Sequence, residues 1–207
     1  MSDQLLPKLQ AYSEARIKEF EFIPETRKVE LKELSEYIQR KLESAGEVSL
    51  NFICTHNSRR SHLTQIWASI AASYYGVESV KTYSGGTEAT AFNPNAVAAL
   101  IRAGLEIENP GGENPHYQLS FSKDAVPLTC FSKTFDDAFN PSTGFGAIMT
   151  CSSADEACPT VVGADFRLAL TFRDPKEADD TPLESETYDE RCAQIARELF
   201  YVFYILK

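Results

Sequence analysis

The sequence predicts an α/β fold, a three-layer sandwich with a central parallel four-stranded sheet and an N-terminal helical extension. Two observations carry that expectation. Four short runs, VSLNFIC, VKTYS, GAIMTC and RLALTF, have the length and the β-branched, apolar character of buried strands. Helical segments and connections of crossover length separate them, which is what parallel strands require.

Residues 1–46 read as the helical extension. Leu31, Leu34, Ile38 and Leu42 recur at helical spacing, and Gly46 is placed to close the segment. The remaining chain, 47–207, reads as the main domain. Its first strand runs from Val48 to Cys54, a polar turn follows, and HLTQIWASIAASYY then puts Leu63, Ile66, Trp67 and Ile70 on one helix face. VKTYS leads into a helix with Asn93 as N-cap, Pro94 in the first turn and Gly104 at the end. Residues 108–146, rich in Asn, Pro, Gly and Ser, read as an insertion, with YQLSFS and VPLTCFS as short strands. GAIMTC ends in Cys151 and RLALTF ends just before Asp174. In the last helix Thr187 and Glu190 are spaced as a capping box, and Cys192, Ile195, Ala196, Leu199, Val202, Phe203 and Leu206 share a face. Ligands of such sheets bind at the carboxyl ends of the strands, where Cys54, Cys151 and Asp174 fall.

With 43% hydrophobic and 24% charged residues, the chain has the composition of a folding domain. Its net charge of -10, from 30 acidic against 20 basic residues, argues against nucleic acid or an anionic membrane as partner. No apolar stretch is long enough to span a bilayer, and the first residues lack the order of a signal peptide, so a cytoplasmic location is expected. Cys54, Cys130, Cys151, Cys158 and Cys192, an odd number unevenly spaced, suit a reducing compartment.

The chemistry is expected in CTHNSRRS, Cys54 to Ser61, between a strand and a helix. Cysteine and Arg60 six residues apart would be a weak signal alone. In this setting, backbone N–H groups at a helix N-terminus can converge on an anion, an arginine fork can grip two of its oxygens, and the same field favours the thiolate of Cys54. Asn57 can order the loop and Ser61 can donate to the sulfur. The oxyanion-binding loop is thus Thr55, His56, Asn57, Ser58, Arg59, Arg60 and Ser61. Asp174, taken alone, reads as a turn residue before Pro175. No metal site is expected, because zinc takes about four ligands and His56, His62 and His116 are not suitably spaced around Cys151 and Cys158. His62 reads as an exposed first-turn residue, Cys130 as a plain strand residue, and Asp136 and Asp137 as a solvated turn.

CTHNSRRS resembles the phosphate-binding loop of the low-molecular-weight tyrosine phosphatases and of the thioredoxin-coupled arsenate reductases built on the same fold. YSGGTE with NPNAVAALIRAGLEI resembles the second strand and helix of that fold, and FRDP resembles the loop carrying its general acid. TCSSADEACP points to the reductase branch, whose members have two cysteines separated by six residues with a proline after the second; Cys151, Cys158 and Pro159 match. The resemblance covers much of 48–206. It implies an arsenate reductase in which Cys54 is the nucleophile, Arg60 holds the oxyanion, Asp174 is the acid, and Cys151 and Cys158 form a redox relay. No bound cofactor is implied; thioredoxin or a similar dithiol would be the reductant, and the ligand an arsenate or phosphate-type oxyanion. His56 stands where the family has glycine, Arg59 where it often has cysteine, and Gln65 where some reductases have a potassium-binding glutamate, so no potassium site is carried over. Lys176 and Glu177 follow the Asp-Pro where the phosphatases often have tyrosines. Two alternatives remain open on the sequence: a tyrosine phosphatase working through phosphocysteine at Cys54, and a redox-sensing interaction protein without turnover.

Overall fold

Val48–Cys54 forms β1, every second side chain of which turns to the same face, and pairs in parallel with β2 (Val80–Gly86) and β6 (Phe145–Met149). β6 in turn pairs in parallel with β7 (Ala164–Ala169), so the sheet runs in the order β2-β1-β6-β7. This computed structural model describes residues 4–77 and 79–207. The α/β class and the four parallel strands are as the sequence predicts, although β7 begins three residues before RLALTF and ends at Ala169.

The residues of β1 separate the two faces. Val48, Leu50 and Phe52, with Ile148 and Leu168, join a large core beneath α2 (Glu25–Ala45), α3 (Arg60–Tyr74) and α6 (Glu184–Tyr204). Ile53 points the other way, with Ala147 and Met149, into a smaller core that also holds Cys54, Cys151, Val161 and Ala154 of the short helix α5 (Ser152–Ala157). Sheet and two coverings make the three layers.

The described part of residues 1–46 is two helices and a 3-10 turn. α1 (Pro7–Ile17) and α2 contribute Leu9, Leu31, Leu34, Tyr37 and Ile38 to the large core, and Gly46 closes α2 in the left-handed region. Tyr37 stacks on Phe166 of β7 with ring centroids 4.3 Å apart, and Tyr12 stacks on Trp67 of α3. Leu63, Ile66, Trp67 and Ile70 are all buried, as the helical periodicity requires.

Within 108–146 the two short strands form as β4 (Tyr117–Ser120) and β5 (Leu128–Cys130). They belong to a separate antiparallel sheet completed by β3 (Glu106–Glu108), a strand hidden in the sequence by its three residues and two carboxylates. The helix before it, α4 (Pro94–Ala103), has Asn93 as N-cap, accepting from Asn95 N and Ala96 N, and Gly104 at its end. Gly104 is also where α1 lies against α4: a Cβ there would come within 2.6 Å of the Leu9 backbone nitrogen. The capping box of the last helix does not form. α6 starts three residues before Thr187, at Glu184, whose carboxylate accepts from Asp180 N. Residues 152–157 are helical, and Cys151 caps their first turn.

Candidate active site

Cys54 is the last residue of β1 and Arg60 the first of α3, so the intervening five residues must turn the chain at a sheet edge into a helix N-terminus. The loop's carbonyls are drawn outward. Cys54 O accepts from Thr87 N, Thr55 O from Glu88 N, and Ser58 O from Asn93 N, at 2.8–3.1 Å. His56 O accepts from the hydroxyls of Thr90 and Ser132. With the carbonyls committed on the outside, the peptide N–H groups are left to line the inside, the geometry of an anion nest. Gly86 permits this packing, because a Cβ there would meet Thr55 O and Asn57 N at 2.7 Å.

Asn57 holds the turn in the left-handed region, with φ 44°. Its Oδ1 accepts from Lys133 N at 2.9 Å, which fixes the amide so that Nδ2 donates to Ser61 Oγ at 2.8 Å. Since Ser61 Oγ is already accepting, its own hydrogen is free to point to Cys54 Sγ, 3.1 Å away. The sulfur thus receives a hydrogen bond at the floor of a small recess lined by Cys54, His56, Ser58, Arg59, Arg60 and Asp174.

Both loop arginines are pinned by aspartates from the segment after β7. Arg60 donates to Asp174 Oδ2 at 2.5 Å and to Phe172 O at 3.0 Å. Arg59 donates to Tyr188 OH at 2.8 Å and to Asp179 Oδ2 at 3.2 Å, while Tyr188 OH donates to Asp179 Oδ1. Burial pushes the Tyr188 phenol up to about 12, so it stays a neutral donor and bridges the pair. Asp174 Oδ1 accepts from Lys176 N, the Asx turn expected before Pro175, and the same side chain lines the recess. His56 lies at the rim with Nε2 3.0 Å from Glu88 Oε1.

Cys151 caps α5 at the carboxyl end of β6, next to β1, where Thr150 N donates to Ile53 O. Its sulfur accepts from Ala154 N and lies 3.5 Å from Thr55 Oγ1, one residue from Cys54. Cys158 lies at the other end of α5, partly exposed, and all five cysteines are free thiols. The structure therefore brings Cys54, His56, Ser58, Arg59, Arg60 and Asp174 around one recess, sets Cys151 against Thr55 behind it, and leaves Cys158 at the far end of α5.

Cys130 and Cys192 lie elsewhere, each fully buried and each pushed up to about 12 by that burial. His62 corrects the expectation of an exposed ring. It is completely buried, stacked on Phe92 at 4.1 Å with Nδ1 3.2 Å from Ser84 Oγ, and burial lowers its proton affinity far below the usual imidazole range. Residues 61–64 are all buried, so the first turn of α3 has no solvent face there. Gln65 is buried and donates to Thr82 O. Tyr188 and Asp179 escaped the sequence because neither carries a local signal; their role comes from α6 passing behind the loop.

No family model matches the chain. It is 29% identical to an arsenate reductase of Bacillus subtilis over 140 residues, 68% of this chain and 83% of that protein. An arsenate reductase of Halalkalibacterium halodurans is also 29% identical, over 64% of this chain and 78% of its own length. Among solved structures, a Bacillus subtilis YwlE mutant superposes with a TM-score of 0.52 at 15% identity, covering 77% of this chain and 99% of that one. In sequence, then, the chain is similar to arsenate reductases. A low-molecular-weight protein tyrosine phosphatase from T. tengcongensis shares the fold, with a TM-score of 0.50 at 14% identity and the same coverage.

Proposed function

We propose that this protein reduces arsenate to arsenite, using Cys54 as nucleophile and Cys151 and Cys158 as a thiol relay regenerated by thioredoxin or a similar dithiol. The observation that carries this reading is the place of Cys151, buried against the oxyanion loop with its sulfur 3.5 Å from Thr55 Oγ1. A phosphatase has no use for a second thiol there.

The chemistry balances as follows. The Cys54 thiolate, hydrogen-bonded by Ser61, attacks arsenic; an arsenic–oxygen bond breaks, Asp174 supplies the proton, and water leaves. Arg60 and the loop N–H groups hold the remaining oxygens, so the guanidinium must exchange part of its bond with Asp174 for the anion, which releases the carboxyl group for proton transfer. Cys151 then attacks the Cys54 sulfur. The sulfur–sulfur bond forms, the sulfur–arsenic pair stays with arsenic, and arsenic(V) departs as arsenite, two electrons richer. Cys158 displaces Cys54 from Cys151, and an external dithiol reduces the Cys151–Cys158 disulfide, as a reducing cytoplasm would allow. The last exchange requires motion. Seven residues at about 1.5 Å rise put the two cysteines about 10 Å apart along α5, whereas disulfide Cα atoms lie about 4.4–6.8 Å apart. α5 must therefore unwind.

The test uses two activities of one preparation. Cys151→Ser and Cys158→Ser are expected to abolish multiple turnover of arsenate with thioredoxin, thioredoxin reductase and NADPH, while leaving aryl phosphate hydrolysis within about threefold of the parent. Sustained arsenate turnover in both variants would refute the relay. The phosphatase reading is supported by the completeness of Cys54, Arg60 and Asp174 without the relay; it would be preferred if the parent hydrolysed aryl phosphate but left arsenate unreduced. Absence of both activities would favour a redox-sensing interaction protein.

A further inference from the structure

α5 is six residues long, too short to persist by its own hydrogen bonds. Something outside it must satisfy its ends. At the N-terminal end Cys151 Sγ accepts from Ala154 N. At the C-terminal end the last carbonyls of a helix lack partners, and here they are met from outside by one side chain of the edge strand β7. Arg167 Nε donates to Cys158 O at 3.0 Å, and its Nη2 donates to Asp155 O at 2.8 Å and to the Asp155 carboxylate at 2.5 Å. One guanidinium thus ties three acceptors of the redox segment to the rigid sheet, and one of them is the carbonyl of Cys158 itself.

We propose that Arg167 is a positioning residue of the thiol relay, capping the C-terminal end of α5 and holding Cys158 away from Cys151 in the reduced protein. The inference rests on the relay reading above and names the group that sets its equilibrium. When Cys151 attacks Cys54 its sulfur enters a disulfide and becomes a poorer cap, so the N-terminal hold on α5 weakens; the Arg167 contacts are what remain to be broken before Cys158 can approach. Because these contacts belong to the reduced, helical state and must be lost for the Cys151–Cys158 bond to form, they favour the dithiol. Their removal favours the disulfide.

The experiment equilibrates the full chain in dithiothreitol redox buffers, traps free thiols by alkylation and maps the Cys151–Cys158 bond by peptide mass. Arg167→Gln is expected to shift the dithiol–disulfide equilibrium about fivefold towards the disulfide, roughly the value of one net hydrogen bond, which is about 20 mV more negative. Asp155→Asn removes only the carboxylate partner and is expected to move the equilibrium the same way by a smaller factor, which guards against a folding defect in either variant. Aryl phosphate hydrolysis should be unchanged in both, since neither residue touches the oxyanion recess. An equilibrium unaltered in both variants, or displaced towards the dithiol, would overturn the proposal while leaving the relay intact. A loss of phosphate hydrolysis parallel to the redox shift would overturn it too, as general damage to the site. If no Cys151–Cys158 disulfide formed in the parent protein at any potential, the relay and the positioning role would fall together.

Discussion

Ser61 connects the buried frame of the protein to the Cys54 sulfur. Lys133 N orients Asn57, Asn57 donates to Ser61, and Ser61 is left with one hydrogen to offer the Cys54 sulfur. A hydrogen bond to a charged group is worth about 1.5–3 kcal/mol, so Ser61→Ala is expected to slow the first chemical step roughly tenfold to a hundredfold. Stopped-flow measurement of nitrophenol release would check it, and iodoacetamide labelling of Cys54 should slow in parallel. Cys54, Arg60 and the loop were legible because a cysteine, an arginine and small polar residues crowd one strand-to-helix junction. The burial of His62 is not legible in the sequence because it depends on Phe92 and Ser84, which lie outside its own turn. The clamp on Arg59 was invisible for a similar reason: Tyr188 and Asp179 are over a hundred residues away.

At the scale of elements, α2 is fastened to α6 beneath the segment that leads to Asp174. Arg27 donates to Glu198 at 2.7 Å and to Thr171 O at 3.1 Å, and its guanidinium lies over the Phe172 ring. Glu198 is almost fully buried, so Arg27→Ala would leave a carboxylate without its cation, a change that costs about 3–5 kcal/mol. Urea denaturation should register that loss, and replacing both residues by apolar ones of similar volume should recover most of it. The fastening also fixes the strand end from which Phe172 O meets Arg60. Helix and strand assignments survived wherever apolar residues recur over several turns, as in α2, α3 and α6. They failed where the element is short: β3 has three residues, and α5 exists through its caps at Cys151 and Arg167.

For the molecule as a whole, the first 46 residues and the remainder share a core. Leu9, Leu31, Leu34 and Ile38 are completely buried in the same cluster as Leu50, Phe52 and Ile148. Deleting residues 1–46 would therefore uncover one face of the sheet, and the truncated chain is expected to lose cooperative thermal unfolding by circular dichroism and to bind an apolar dye. A sharp transition in the deletion variant would mean that the rest folds alone. The sequence by itself determined the α/β class, the parallel four-stranded sheet and the junction carrying Cys54 and Arg60, because strand and helix periods, caps and a loop between them are local properties of the chain. Only the tertiary structure decided that Cys151 lies against the oxyanion loop while Cys158 is held a helix length away, that Asp174 meets Arg60, and that Arg167 caps α5. Those contacts are set by which segments the sheet brings side by side, and neither the loop facing Cys151 nor the partner of Asp174 can be read from the residues next to it in the chain.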